Sequence, residues 1–169
     1  MDFTHFSTIL FDWGDTVMKD DPVMNTPMVD WPQVRMVDGV DALLETIHTN
    51  GRIIALATSA DVSTEAQIRA ALARVNLEQY FDKIYAFGNT GLRKSAAFYQ
   101  FILDDLKVQP ADVLMIGDSF EKDVFAANQV GILAVWFNLP TAETRDGAAF
   151  VTVHSMAELL ARFNSTRVE

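Results

Sequence analysis

The chain has 169 residues, half of them apolar and 21% charged, with a formal net charge of −10 and no cysteine. A chain of this length buries about two thirds of its unfolded surface around one core, and the balance of residue types argues against a disordered or fibrous protein. The negative charge, with no cluster of Lys and Arg, argues against a nucleic acid or an anionic membrane as partner; the lack of cysteine removes disulfides, zinc thiolates and a thiol nucleophile.

The opening "MDFTHFSTIL" has no basic segment followed by a long apolar one, and no later run reaches the roughly 20 apolar residues of a membrane span, so a cytoplasmic address is expected. "TILF" at 8–11 reads as the first strand, an apolar run without polar alternation, as a strand covered on both faces requires. Residues 18–38, "MKDDPVMNTPMVDWPQVRMVD", carry three prolines and four methionines with no sustained period, and are expected to form a long loop or flap. Val40, Leu43, Leu44 and Ile47 then repeat at helical spacing before Gly51. "RIIALAT" at 52–58 is the second strand, and Ile68, Ala71, Leu72 and Val75 mark a helix after "SADVST". "KIYAF" at 83–87 is a third strand, followed by a helix through Phe98, Phe101, Ile102 and Leu106. "VLMI" at 113–116, a helix through Val124, Ala127 and Val130, "ILAVWF" at 132–137, "FVTV" at 150–153 and a helix through Met156, Leu159 and Leu160 complete the chain. Strand alternating with helix predicts an α/β fold with a doubly wound parallel sheet.

In such a sheet ligands bind beyond the carboxyl ends of the strands, and several runs finish there in reactive groups. "TILFD" ends at Asp12, "IIALATS" at Thr58 and Ser59, and "VLMIGDS" at Gly117, Asp118 and Ser119, while Lys94 precedes a helix. Each has a plainer explanation beside the functional one. Asp118 or Ser119 would serve as a helix N-cap, Thr58 and Ser59 as turn residues, and Asp123 as an exposed first-turn carboxylate. Lys94 is less easily explained away, because a cation at a helix N-terminus opposes the dipole, although a single exposed Lys is ordinarily just solvated.

Taken together, "FDWGDT", "ALATS", "GLRKS" and "MIGDSFEKD" stand in the order and at the strand ends of the haloacid dehalogenase-like hydrolase superfamily, which the chain resembles over nearly its whole length. The resemblance implies one Rossmann-like domain over residues 1–169 and a Mg²⁺-dependent hydrolase, a phosphatase acting through an aspartyl-phosphate. It implies Asp12 as nucleophile, with Thr58 and Lys94 holding the transferring phosphoryl group. It also implies Mg²⁺ bound by Asp12, the Gly14 backbone carbonyl and Asp118, with Asp123 either a ligand or a neighbour of the ligands. The chemistry is coherent: phosphoryl transfer asks for positioning and charge neutralisation, and Mg²⁺ takes hard oxygen ligands.

The first motif departs from the superfamily pattern D-x-D-G-T. Gly14 stands where most phosphatases of this kind carry a second Asp that protonates the leaving group, and a carboxylate follows one place later at Asp15. The missing group is worth about 10²- to 10⁴-fold in rate. Asp15 either takes over the acid-base duty or hydrogen-bonds the turn, and the alternatives to a phosphatase are a catalytically weak phosphate- or protein-binding domain and a phospho-aspartate signalling domain. About forty residues separate Thr16 from Thr58 and roughly thirty-five separate Ser59 from Lys94, too few for a separate cap domain in either gap. The chain thus resembles a capless member with the 18–38 flap as its only local cover, and such an open site suits large or protein-borne phosphates or is closed by a neighbouring subunit; the expected partner is a phosphorylated substrate, small molecule or protein-borne, and a homo-oligomer is compatible with it.

Overall fold

A computed structural model of the chain describes residues 3–164. Among these, β1 (Thr8–Phe11), β2 (Ile53–Ala57), β3 (Lys83–Tyr85), β4 (Val113–Gly117), β5 (Leu133–Phe137) and β6 (Phe150–Val153) join in a single sheet of order β3-β2-β1-β4-β5-β6. Every pairing is parallel. Side chains on a strand point alternately to the two faces, and here both faces are buried. Ile9, Phe11, Ile54, Leu56, Leu114 and Ile116 pack into one layer, while Leu10, Ala55, Val113, Met115 and Ala134 pack into the other.

The helices are α1 (Val40–Thr49), α2 (Glu65–Ala73), α3 (Phe87–Thr90), α4 (Ala96–Leu106), α5 (Ala126–Asn128) and α6 (Met156–Asn164). The first layer is covered by α1, α2 and α6 through Leu43, Ile68 and Leu159, and the second by α4 and α5 through Phe98, Ile102 and Ala127. Local signals explain several boundaries. At the start of α2, Thr64 Oγ1 accepts from Gln67 N while Gln67 Oε1 accepts from Thr64 N, a reciprocal cap. Ser95 Oγ accepts from Phe98 N at the start of α4. The apolar run at 83–87 yields a shorter strand than its length suggests. Asn89 takes over beyond Tyr85, accepting from Ala86 N at 2.9 Å and donating to Ile84 O at 2.7 Å, so that Phe87 enters α3.

Residues 18–38 form an irregular loop closed at its base by an antiparallel bridge between Met18 and Met36 and by Lys19 N donating to Arg35 O at 2.8 Å. Within it a short 3₁₀ turn, Met28–Asp30, packs toward α2. Met28 and Trp31 are buried in the first layer, and the Arg74 guanidinium donates to the carbonyls of Val29, Trp31 and Pro32. The loop is thus anchored on the body of the fold through Met28, Trp31 and Arg74.

Candidate active site

The strand order reverses between β1 and β4, and at this point the chains leaving the two carboxyl ends diverge and open a crevice. Asp12 follows β1 directly and continues the ladder, its N–H donating to Ile116 O at 2.9 Å. Asp118 follows β4, and its carbonyl is held by Trp136 Nε1 at 2.9 Å. Thr58 follows β2, anchored by its N–H to Tyr85 O at 2.9 Å. Its Oγ1 accepts from Ala60 N at 3.1 Å, which leaves the hydroxyl proton for another acceptor. Asp12, Thr58, Lys94, Asp118 and Asp123 line one cavity of about 410 Å³, so the structure brings together all the principal residues expected from the sequence.

Lys94 is the centre of the cluster. Its side chain is only 3% exposed, and Nζ lies 2.5 Å from Asp12 Oδ1 and 2.5 Å from Asp123 Oδ1. Burial works against its charge, but the two carboxylates outweigh this and hold its pKa above the ordinary lysine value. One carboxylate oxygen from each of Asp12, Asp118 and Asp123 lies within 4.8 Å of the others. Burial, then the charge of Asp12, pushes Asp118 up to about 7. Asp123 is pushed up to about 6, chiefly by burial and against the opposing pull of Lys94. Three carboxylates facing one ammonium leave the cluster short of positive charge. A divalent cation would supply it, and an all-oxygen donor set is what Mg²⁺ takes, so the residues present fit that ion.

The turn after β4 decides the position of Asp123. Residues Phe120–Phe125 form a wide π-type turn leading into α5, a feature common where a side chain must be re-aimed at a site. Ser119 is the N-cap, its Oγ accepting from Lys122 N, which frees Asp118 from capping. Asp123 is fully buried rather than exposed on a first turn, and its Oδ2 accepts from Ser119 N at 2.9 Å. From α4, Tyr99 Oη donates to Lys122 O at 2.9 Å and steadies the same turn.

Gly14 and Asp15 differ in role from what their identities suggest. Asp15 occupies the left-handed region with φ 54°, whereas Gly14 has no positive φ. Asp15 is exposed at the cavity rim, and its Oδ1 accepts from Asp20 N at 3.0 Å. The Gly14 carbonyl accepts no hydrogen bond from any described residue, which leaves that oxygen available to a ligand. Sequence reasoning missed the cavity's remaining wall: Trp13, Met24, Met28 and Trp31 form an apolar side, with Lys122 and Asp20 at the edge. No periodic signal marks them, since four of these six come from or adjoin the irregular loop.

Residues 18–137 match the family model described as haloacid dehalogenase-like hydrolase. A ribulose-1,5-bisphosphate 5-phosphatase of Halopiger xanaduensis is 30% identical over 113 residues, which are 66% of this chain and 46% of that protein. An N-acylneuraminate-9-phosphatase of Mus musculus is 32% identical over 105 residues, 61% of this chain and 41% of that protein. The chain spans about half, or less, of the length of these curated relatives. Among solved structures, an uncharacterized protein from Listeria monocytogenes serotype 4b superposes with a TM-score of 0.79 at 22% identity, covering 92% of this chain and 96% of that one. A HAD phosphatase from Thermococcus onnurineus superposes with a TM-score of 0.76 at 17% identity, covering 96% and 100%. At such identities the superpositions speak for the fold.

Proposed function

The chain belongs to the haloacid dehalogenase-like hydrolase family, and on that premise we propose that it is a Mg²⁺-dependent phosphatase that cleaves phosphate monoesters through an aspartyl-phosphate on Asp12. The observation that carries this reading is the Lys94 ammonium bridging Asp12 and Asp123 at 2.5 Å each, beside Asp118, in one cavity at the sheet's carboxyl edge. A pure binding site for phosphate would place cations and amide groups there, not three carboxylates.

Asp12 attacks phosphorus with one carboxylate oxygen, the ester P–O bond breaks, and the leaving oxygen takes a proton. Water then cleaves the acyl phosphate and restores Asp12. Lys94, fixed by Asp123, offsets the like-charge repulsion between carboxylate and phosphate, and the Thr58 hydroxyl donates to a phosphoryl oxygen. Asp12, Asp118 and the Gly14 carbonyl would hold the Mg²⁺, with Asp123 adjoining them. When bound, that ion neutralises charge on the transferring group. Residues 1–169 act in this reading as one domain without a separate cap, and the 18–38 loop supplies the cavity's cover through Met28 and Trp31. A cavity of about 410 Å³ suits a small phosphorylated molecule.

The test is phosphate release from a panel of monoesters with Mg²⁺, with EDTA, and with Asp12→Asn. Release that needs both the metal and Asp12 is the expected result. Equal background release by wild type and Asp12→Asn would overturn the enzymatic reading and leave the weak binding domain, for which Gly14 speaks.

A further inference from the structure

We propose that Asp20, from the loop after the first motif, is the proton donor and acceptor that Gly14 does not supply; the assignment rests on the phosphatase reading above. A Cβ built on Gly14 would stand 3.2 Å from Asp20 Oδ2 and 3.4 Å from Asp20 Cβ and Cγ. The carboxylate of Asp20 therefore already takes the space into which an acidic side chain at position 14 would grow. Since Gly14 has no positive φ, backbone conformation does not demand glycine there. What stands closest to the missing side chain is the Asp20 carboxylate, near enough that a Cβ there would make it give way by a few tenths of an ångström.

The chain brings Asp20 back over Gly14 by a tight turn. Val17 N and Met18 N both donate to Trp13 O at 2.9 Å, and Asp15 N donates to Met18 O at 2.7 Å. Asp15, in its left-handed conformation, then accepts from Asp20 N at 3.0 Å. Asp20 Oδ1 is held by Asp21 N at 2.9 Å, while Oδ2 meets no hydrogen-bond donor among the described residues. One oxygen is thus tethered and the other faces the gap beside Gly14. Asp12 and Asp20 line the same cavity, Asp12 at its buried floor and Asp20 exposed to solvent.

The chemistry balances. As the Asp12–phosphorus bond forms and the ester P–O bond breaks, the electron pair goes to the leaving oxygen, and the Asp20 carboxyl proton goes with it to give a neutral alcohol. The resulting Asp20 carboxylate takes a proton from the water that attacks phosphorus, the bond to Asp12 breaks, and inorganic phosphate and the starting enzyme are released. Asp15 is a positioning residue, acting through its bond to the Asp20 amide.

The experiment compares the full chain with Asp20→Asn, Asp15→Asn, Asp15→Ala and Asp12→Asn on a series of alkyl and aryl phosphates with Mg²⁺. Only a poor leaving group needs the proton, so Asp20→Asn is expected to lose about 10²-fold in kcat or more on alkyl phosphates and less than about tenfold on aryl ones. Asp15→Ala shifts the alkyl-to-aryl ratio in the same direction by less. In an Asp20→Ala background, Gly14→Asp has room for its carboxylate and restores at least about tenfold on alkyl phosphates. Asp20 is exposed, and thermal melts of its variants are expected to match wild type. Losses equal on both substrate classes, no loss, or a leaving-group-dependent loss confined to Asp15→Asn would overturn the assignment to Asp20 while leaving the phosphatase intact. Background release by wild type and Asp12→Asn alike would instead overturn the phosphatase, and the proton donor with it.

Discussion

Gly117 and Asp123 share one space: a Cβ at Gly117 would fall 2.2 Å from Asp123 Oδ2, 2.3 Å from its Cγ and 2.6 Å from its Cβ. The glycine that ends β4 is present because a buried carboxylate lies flat against its α-carbon, and that carboxylate holds Lys94. Gly117→Ala is expected to push Asp123 outward, loosen Lys94, and cost about 1–3 kcal/mol of stability as an overpacked core substitution does. Phosphate release should fall with it. Denaturant melts and single-substrate kinetics check both, and a variant as stable and active as wild type would show that the turn yields easily.

Lys94→Met tests the electrostatic centre. It leaves Asp12 and Asp123 buried without their ammonium, and the loss of one partner from a buried charge cluster costs about 3–5 kcal/mol at neutral pH. Urea titrations in EDTA should show that loss, and added Mg²⁺ should return part of it by supplying positive charge to the same carboxylates. Unchanged stability in EDTA would mean that the fold does not depend on Lys94 as the partner of Asp12 and Asp123.

The raised carboxylates predict a pH dependence whose sign is fixed. Asp118 near 7 and Asp123 near 6 both lie above their unfolded values, so the folded state binds protons more strongly than the unfolded chain. The penalty of their ionisation is full above about pH 7 and is relieved as pH falls through that range toward the unfolded value near 4. In EDTA the melting temperature should therefore rise between pH 8 and pH 5.5, and Asp118→Asn should flatten the rise. Mg²⁺ competes with these protons, so its stabilisation should be greater at pH 8 than at pH 5.5. Calorimetric melts at the two pH values, with and without Mg²⁺, decide the matter; a Mg²⁺ effect larger at the lower pH would contradict the proposed ligand set.

Thr8 offers a prediction far from the chemistry. It is fully buried in β1, and its hydroxyl has no hydrogen-bond partner among the described residues. Thr8→Val keeps the shape and removes an unsatisfied polar group, which should stabilise the protein by about 1–2 kcal/mol. Activity should stay unchanged, because Thr8 lies at the opposite end of β1 from Asp12. A lower melting temperature would show that the hydroxyl has a partner in solution.

The sequence by itself determined the architecture, because its signals are local. Six apolar runs without alternation and the helical periods between them correspond to six parallel strands and their covering helices, since a strand buried on both faces can have no polar side. The ends of those runs also located Asp12, Thr58 and Asp118 at one edge of the sheet. The tertiary structure alone decided which carboxylates share Lys94, because that ammonium reaches Asp12 across 82 positions of sequence and Asp123 across 29. It alone placed Asp20 beside Gly14, since the path of an irregular loop is set by the surfaces it packs on, here through its own Met28 and Trp31 buried in the core and its carbonyls held by Arg74, and not by any period of its own.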